Sequence, residues 1–420
     1  MSLRLLKSII KRNLGDGGTK SVKNKINYSL IFFYKTLLKF DRYELANIIR
    51  FTRKRLHFLD EEESLFEFKK GCKSKISEPY YYGYNPKIKS IYSPDISLFV
   101  LKNSIFSIES SNFLTDDKLI VERIPRINID IANYATGLIK YHNHVNGLVK
   151  LPKSIKDLEI NEAYFLGGNG SFNYYHWMTE ILPKMEFIAT NKGIEFSKNI
   201  IVSEGVKKVD SFQISLELSC KHYNFNIIYI NPKLYFRIKN LLIINKPSDI
   251  LFNSKNILSD LSFCFYNKQS LSYVKSLLQN LKNDKINLDS IDKVFLGRIE
   301  GSARSYNQSE VKKMLETEFN FKTIYLENYL LKEQIFIFNN AKIIVGPSGA
   351  SWTNLIFCNS NCNLISWLPS NIRSFSAFSS IASNFDLNME FIEAIPDKIN
   401  NLHTSYKIKL DDLRDLLQRL

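Results

Sequence analysis

Cysteine is scarce in this chain of 420 residues: five occur, at Cys72, Cys220, Cys264, Cys358 and Cys362, an odd number with no C-x-x-C pair. That scatter excludes a disulfide framework and reads as reduced, cytosolic thiols. Cys358 and Cys362 are spaced C-x3-C, but no second pair of Cys or His stands near them to complete a zinc set. The pattern H-E-x-x-H is absent, which removes the metalloprotease reading. No uninterrupted apolar run approaches the roughly 20 residues a spanning helix needs, so no segment is expected to cross a bilayer. The opening MSLRLLKSIIKRNL is interrupted by Arg4, Lys7, Lys11 and Arg12 and lacks the clean apolar core of a signal peptide. Internal repeats and low-complexity tracts are also missing.

What is present is a chain 45% apolar, long enough for two or three domains or one two-lobed enzyme. Its 57 Lys and Arg against 42 Asp and Glu leave +15, which favours an anionic partner, although abundant Lys, Asn and Ile also follow from coding bias. Wound as a helix, the opening segment puts Leu5, Leu6, Ile9 and Ile10 on one side and Arg4, Lys7 and Lys11 on the other. Two readings fit it equally: a helix lying on an anionic membrane surface, or one packed on the body with its basic side in water. Residues 12–26 read as a linker, and helical spacing continues to Leu59, broken near Asp41. Short β-rich runs fill Tyr80 to Leu151. From about residue 160 strand and helix patterns alternate in two successive series, which implies parallel sheets covered by helices. The expected division is a helical extension over 1–60, one lobe over 61–260, a second over 261–395 and a C-terminal helix in 396–420, packed back across the lobes.

Three loops follow strands and lead into helices, where a doubly wound sheet binds ligands. In IIVGPSGASWTN the strand stops at Gly346 and Pro347, and Ser348, Gly349 and Ala350 are small enough to let a phosphate approach backbone amides. Asn354 adds a side-chain donor one turn on, while a plain tight turn explains the glycines equally well. The loop is neither a Walker loop nor G-x-G-x-x-G. LGRIEGSARSYNQSEV supplies Arg298 and Arg304, whose planar forks suit a diphosphate; their bland reading is a solvated charge pair. In FLGGNGSFNYYHWMTEILPKM, His176 and Glu180 stand four apart on one helix face, with Pro183 set to end or kink that helix. A carboxylate-bound histidine is a general base, or simply a buried histidine with its hydrogen bond satisfied.

At these residues the chain resembles glycosyltransferase family 61. NYYHWMTEILPKM resembles the signature N-Y-Y-H-W-x-x-E-x-L-P-[RK]-[LM]; GRIEGSARSYNQSEV resembles the family's arginine segment; and LEN with KEQIFIFNNAKIIVGPSGASWTNLIF resembles the segment ending G-P-H-G-A-x-x-T-N-x-x-F. LISWLP with FSSIASNFDLNMEFI resembles the closing strand and helix, so the likeness covers roughly residues 160 to 395. It implies a GT-B-like α/β fold of two Rossmann-like lobes facing a cleft, and inverting, metal-independent transfer from a nucleotide sugar, commonly a UDP-sugar. It places Arg298, Arg304, Asn307, Glu333, Gly346, Pro347, Ser348, Gly349, Ala350 and Asn354 on the donor side, with His176 and Glu180 as the catalytic pair. The chain departs from the pattern at Ser348, where the family usually has histidine, and in its dispersed arginines. No D-x-D triplet, the metal-binding mark of GT-A enzymes, occurs anywhere.

The expectation is therefore a cytoplasmic glycosyltransferase, peripheral at the inner face of the membrane, that requires no cofactor and no metal. It would pass a hexosyl, N-acetylhexosaminyl or pentosyl group to a surface-polysaccharide or lipid-linked glycan of capsular type. The rival reading, invited by Ser348, is a non-catalytic subunit that binds nucleotide sugar or polysaccharide. Nucleic acid is not expected as a partner, because no recognised binding motif accompanies the positive charge.

Overall fold

The structure, a computed structural model, describes residues 34, 36, 50–122, 137–143, 145–190, 196–221, 223–250, 261, 264–283, 286, 288–299, 304–399 and 404–420. The basic opening segment, the 12–26 linker and nearly all of the 27–49 helical expectation lie outside them.

Four short apolar runs form a parallel set: β1 (Glu162–Phe165), β2 (Asn199–Ser203), β3 (Asn226–Ile230) and β4 (Phe236–Ile244). They lie in the order β3-β2-β1-β4, and β4 carries the sheet onward into antiparallel strands that begin with Ile96–Phe106. Between β1 and β2 the chain forms α1 (Tyr174–His176), a π turn (Trp177–Ile181), a 3-10 turn (Leu182–Lys184) and α2 (Met185–Thr190). The helices α3 (Asp210–Cys220) and α4 (Lys268–Leu278) follow. The helical spacing that runs to Leu59 is overruled at its end: Phe51–Phe58 is a strand. It pairs with Asn146–Lys150 on one side and Lys118–Val121 on the other, so both edges of its backbone are hydrogen-bonded in ladders that local spacing does not reveal.

The second sheet contains β5 (Lys293–Leu296), β6 (Lys322–Ile324), β7 (Ile343–Pro347), β8 (Asn363–Pro369) and β9 (Asn388–Pro396), all parallel, in the order β6-β5-β7-β8-β9. Side chains alternate faces along each strand. Phe295, Val345, Ile365 and Trp367 pack with Val311, Met314 and Leu315 of α5 (Gln308–Phe319). Val294, Leu296, Ile344 and Leu364 belong to the cluster holding Leu331, Ile335 and Phe338 of α6 (Leu331–Asn340), together with Ala377, Phe378 and Ile381 of α7 (Ala377–Asn384). Helices therefore cover both faces, as the alternation predicts. The C-terminal helix α8 (Leu410–Leu417) lies with α5, burying Leu413, Leu416 and Leu417 on the same face.

Several contacts cross between the halves of the sequence. Tyr80–Tyr81, inside the 61–260 stretch, adds a parallel strand to β9, and Ser77 and Lys75 hydrogen-bond to Ser380 and Asn384 of α7. The largest apolar cluster is continuous from Trp177, Met178 and Ile181 to Trp352 and Leu355. The result is a mixed α/β protein with two multistranded sheets joined by shared core.

Candidate active site

In the second sheet the chain leaves β5 toward β6 on one side, then returns past it to β7 on the other. The carboxyl ends of β5 and β7 thus form a topological switch point, the place where such sheets leave a crevice for ligands. Gly297 and Arg298 follow β5 directly, and Gly346 and Pro347 end β7. Gly346 permits the two strands to approach, because a Cβ there would lie 2.7 Å from Leu296 Cβ. Arg298 bridges the two strand ends: its Nη2 donates to the carbonyl of Ser348 and its Nη1 to the carbonyl of Arg304 at 2.9 Å. Gln308, first residue of α5, holds the Arg298 backbone from both directions, accepting its N–H at 2.7 Å and donating to its carbonyl at 2.8 Å.

Arg304 lies beside it in the left-handed region, φ 63°. Burial, and next the neighbouring Arg298 charge, hold its guanidinium below the usual value. Its Nε is buried with no hydrogen-bond partner, and among the described residues Arg304 makes no ion pair. A partly buried cation beside a second cation, with no acidic partner among the described residues, is an unfavourable arrangement until an anion arrives.

The remaining residues named for the donor side divide in two. Pro347 accepts Trp352 Nε1 through its carbonyl at 3.0 Å, which fixes the turn from which Ser348, Gly349 and Ala350 lead into the 3-10 helix Ala350–Phe357. Gly349 is extended, and a Cβ on it would stand 3.4 Å from Arg298 Nη2. These residues share the switch point. Asn307, Glu333 and Asn354 make hydrogen bonds within the framework. Asn307 accepts the Ile408 N–H at 2.9 Å and ties down the C-terminal segment. Glu333 accepts the Leu330 N–H at 2.8 Å and caps α6. Asn354 is buried, donates to Gln334 Oε1 at 3.0 Å and accepts the Tyr174 hydroxyl.

That last bond joins the loop to the helical run of the first half, where nearly every residue of NYYHWMTEILPK has an assignment. Asn173 caps α1 by accepting the Tyr175 N–H at 2.9 Å. Tyr175 shares a hydroxyl–hydroxyl bond with Tyr266, and burial lifts both phenols well above their usual pKa. Trp177 stacks on Phe212 at 4.8 Å and donates to Ser215 Oγ at 2.9 Å. Pro183 neither ends the run nor breaks it. Its ring crowds the carbonyl four residues back, and the run passes through a π turn just upstream and a 3-10 turn around the proline before resuming as α2.

His176 Nδ1 and Glu180 Oε1 are 2.7 Å apart, and the His176 side chain is 12% exposed while Glu180 is fully buried. Gly170, at φ 81°, passes so close that a Cβ there would collide with the imidazole, 3.0 Å from Nε2. The irregular glycines before the helix are thus explained by the ring they must pass. Sequence reading missed one member of this group: Lys246 donates to Glu180 Oε2 at 2.7 Å. A lysine placed directly after the apolar strand run NLLIIN, at the carboxyl end of β4, was its available signal. With Glu180 accepting from Nδ1, the imidazole proton sits on that nitrogen and Nε2 is the basic one, the tautomer that proton abstraction requires. Among the described residues no three His, Cys, Asp or Glu side chains gather as a metal-binding group.

Comparison with known families gives this arrangement a class: residues 174–365, from the first residue of α1 into β8, match the family model of glycosyltransferase 61. No curated protein matches the chain.

Proposed function

We propose that the protein is an inverting, metal-independent glycosyltransferase of two facing GT-B-like lobes that uses a nucleotide sugar, in the first instance a UDP-sugar. The observation that carries this reading is the partly buried Arg304, which makes no ion pair among the described residues and lies beside Arg298 at the switch point of the second sheet. A diphosphate there would meet two guanidinium groups and the backbone of Ser348, Gly349 and Ala350, which supply fixed positive charge to the leaving group. His176 Nε2 takes the proton of the acceptor hydroxyl as its oxygen attacks the anomeric carbon. The bond from that carbon to the diphosphate breaks, and the nucleoside diphosphate leaves with the electron pair. Glu180 holds the imidazole and stabilises the imidazolium formed.

The acceptor in this reading is a surface-polysaccharide or lipid-linked glycan, met at the inner face of the cytoplasmic membrane. No helix among the described residues is long and apolar enough to cross a membrane. Purified protein incubated with a panel of nucleotide sugars tests the proposal. Release of UDP from at least one donor, abolished in His176→Ala, is expected. If no donor is turned over or stabilises the protein thermally, the assignment fails. Donor binding and polymer assembly that survive His176→Ala and Glu180→Gln would instead support a non-catalytic binding subunit.

A further inference from the structure

The carboxylate that holds His176 is itself held. Glu180 Oε2 accepts from Lys246 Nζ at 2.7 Å, and Lys246 lies 3.6 Å from Asp249 Oδ1. The side chains of Glu180 and Lys246 are 0% and 2% exposed, so water hardly screens these charges. We propose that Lys246 is a positioning residue which, balanced by Asp249, fixes the Glu180 carboxylate against His176 and sets how readily the imidazole accepts a proton.

Lys246 does two opposite things. By occupying Oε2 it leaves Oε1 aimed at Nδ1, which selects the tautomer. Its positive charge, one carboxylate away from the ring, also opposes formation of the imidazolium. Asp249 offsets that second effect. With His176 neutral, the four side chains carry one net negative charge, and a proton on Nε2 cancels it. Without Asp249 the same proton would leave a net positive charge in a buried place.

Other titratable groups lie close to this set, and the buried Lys184 feels the charges of both Lys246 and Glu180. On the same helical run, Lys184 pairs with Glu122 at 3.1 Å, both buried, and the two charges offset each other. Burial lowers the Lys184 pKa and Glu122 opposes that shift. Tyr175, whose ring meets the imidazole edge-on, and Tyr266 remain neutral because burial raises them, and the Cys264 thiol lies beside Tyr266. Among the described residues, the charged groups in ion-pair contact with Glu180 or with its partner are Lys246 and Asp249, both on the segment that follows β4.

The catalytic consequence rests on His176 being the base, but the charge arrangement can be tested without substrate. Histidine-labelled full-length protein is titrated by NMR, with His176→Gln identifying the resonance among the six histidines. The wild-type spectrum should show the Nδ1-protonated tautomer. Lys246→Met should raise the His176 midpoint by about one pH unit or more, and Asp249→Asn should lower it by a similar amount. Lys246→Arg, keeping charge and donor, should leave it in place. A folded Lys246→Met with an unmoved or lowered midpoint overturns the proposal. If Lys246→Met does not fold, Asp249→Asn decides, and an unmoved midpoint there overturns it equally. Donor turnover that persists in His176→Ala would remove the base reading while leaving these shifts as they are.

Discussion

Arg304 and Gly170 carry the account at the scale of single residues. The depressed guanidinium pKa of Arg304 means that its charge costs stability at neutral pH, a penalty relieved only as pH rises past the folded value. A residue kept for structure would not be expected to carry that penalty. Arg304→Met should therefore leave the ligand-free protein as stable as before or more so, while the thermal stabilisation given by UDP falls at least about tenfold in concentration dependence. A destabilised apo protein with unchanged UDP response would make Arg304 structural. Gly170 is constrained twice, by φ 81° and by the imidazole against it. Gly170→Ala should cost about 1–3 kcal/mol in unfolding free energy and should displace His176, lowering donor turnover more than donor binding. Chemical denaturation and initial rates check the two parts.

Between strands, the decisive feature is the approach of β5 and β7. Gly346→Ala sets a methyl 2.7 Å from Leu296 Cβ and must push the strands apart where Arg298 spans them. An overpacking cost of about 1–3 kcal/mol and a loss of UDP affinity are expected together, measured by denaturation and calorimetry. Most of this framework was legible in the sequence, because parallel strands buried on both faces appear as short apolar runs divided by helical spacing. VFL, IIV and LISWL illustrate it. The loops that follow them were legible for the same reason. Four features were not. The strand Phe51–Phe58 depends on partners as far away as residue 150. Ala350–Phe357 is the helix that the spacing suggests, but its 3-10 winding is not something the spacing distinguishes. Asn307, Glu333 and Asn354 lie in the matching motifs, but the caps and links they make depend on partners that a motif does not show. Lys246 was overlooked because its partner lies 66 positions away in the chain.

For the whole molecule, the two halves are held in register through the aromatic signature. Tyr174 reaches Asn354, and Tyr175 reaches Tyr266, which in turn donates to the Ala377 carbonyl at 3.2 Å. Tyr174→Phe leaves the buried Asn354 oxygen without its donor and should cost about 1–3 kcal/mol, read as a lowered unfolding midpoint. It should also weaken coupling between the His176 helix and the Ser348 turn, so that UDP binding no longer changes protease susceptibility in the first half. The charge of +15 belongs to this scale as well, as a general attraction for anionic donors and surfaces, not as a site. In the proposed reading, what turns that attraction into chemistry is the local pairing of Arg298 with Arg304 at the carboxyl ends of β5 and β7. A crystal soaked with UDP tests this most directly. The account predicts diphosphate oxygens within hydrogen-bond distance of Arg298 and Arg304 and against the backbone of Ser348 to Ala350; diphosphate seated elsewhere, with both guanidinium groups untouched, would contradict it.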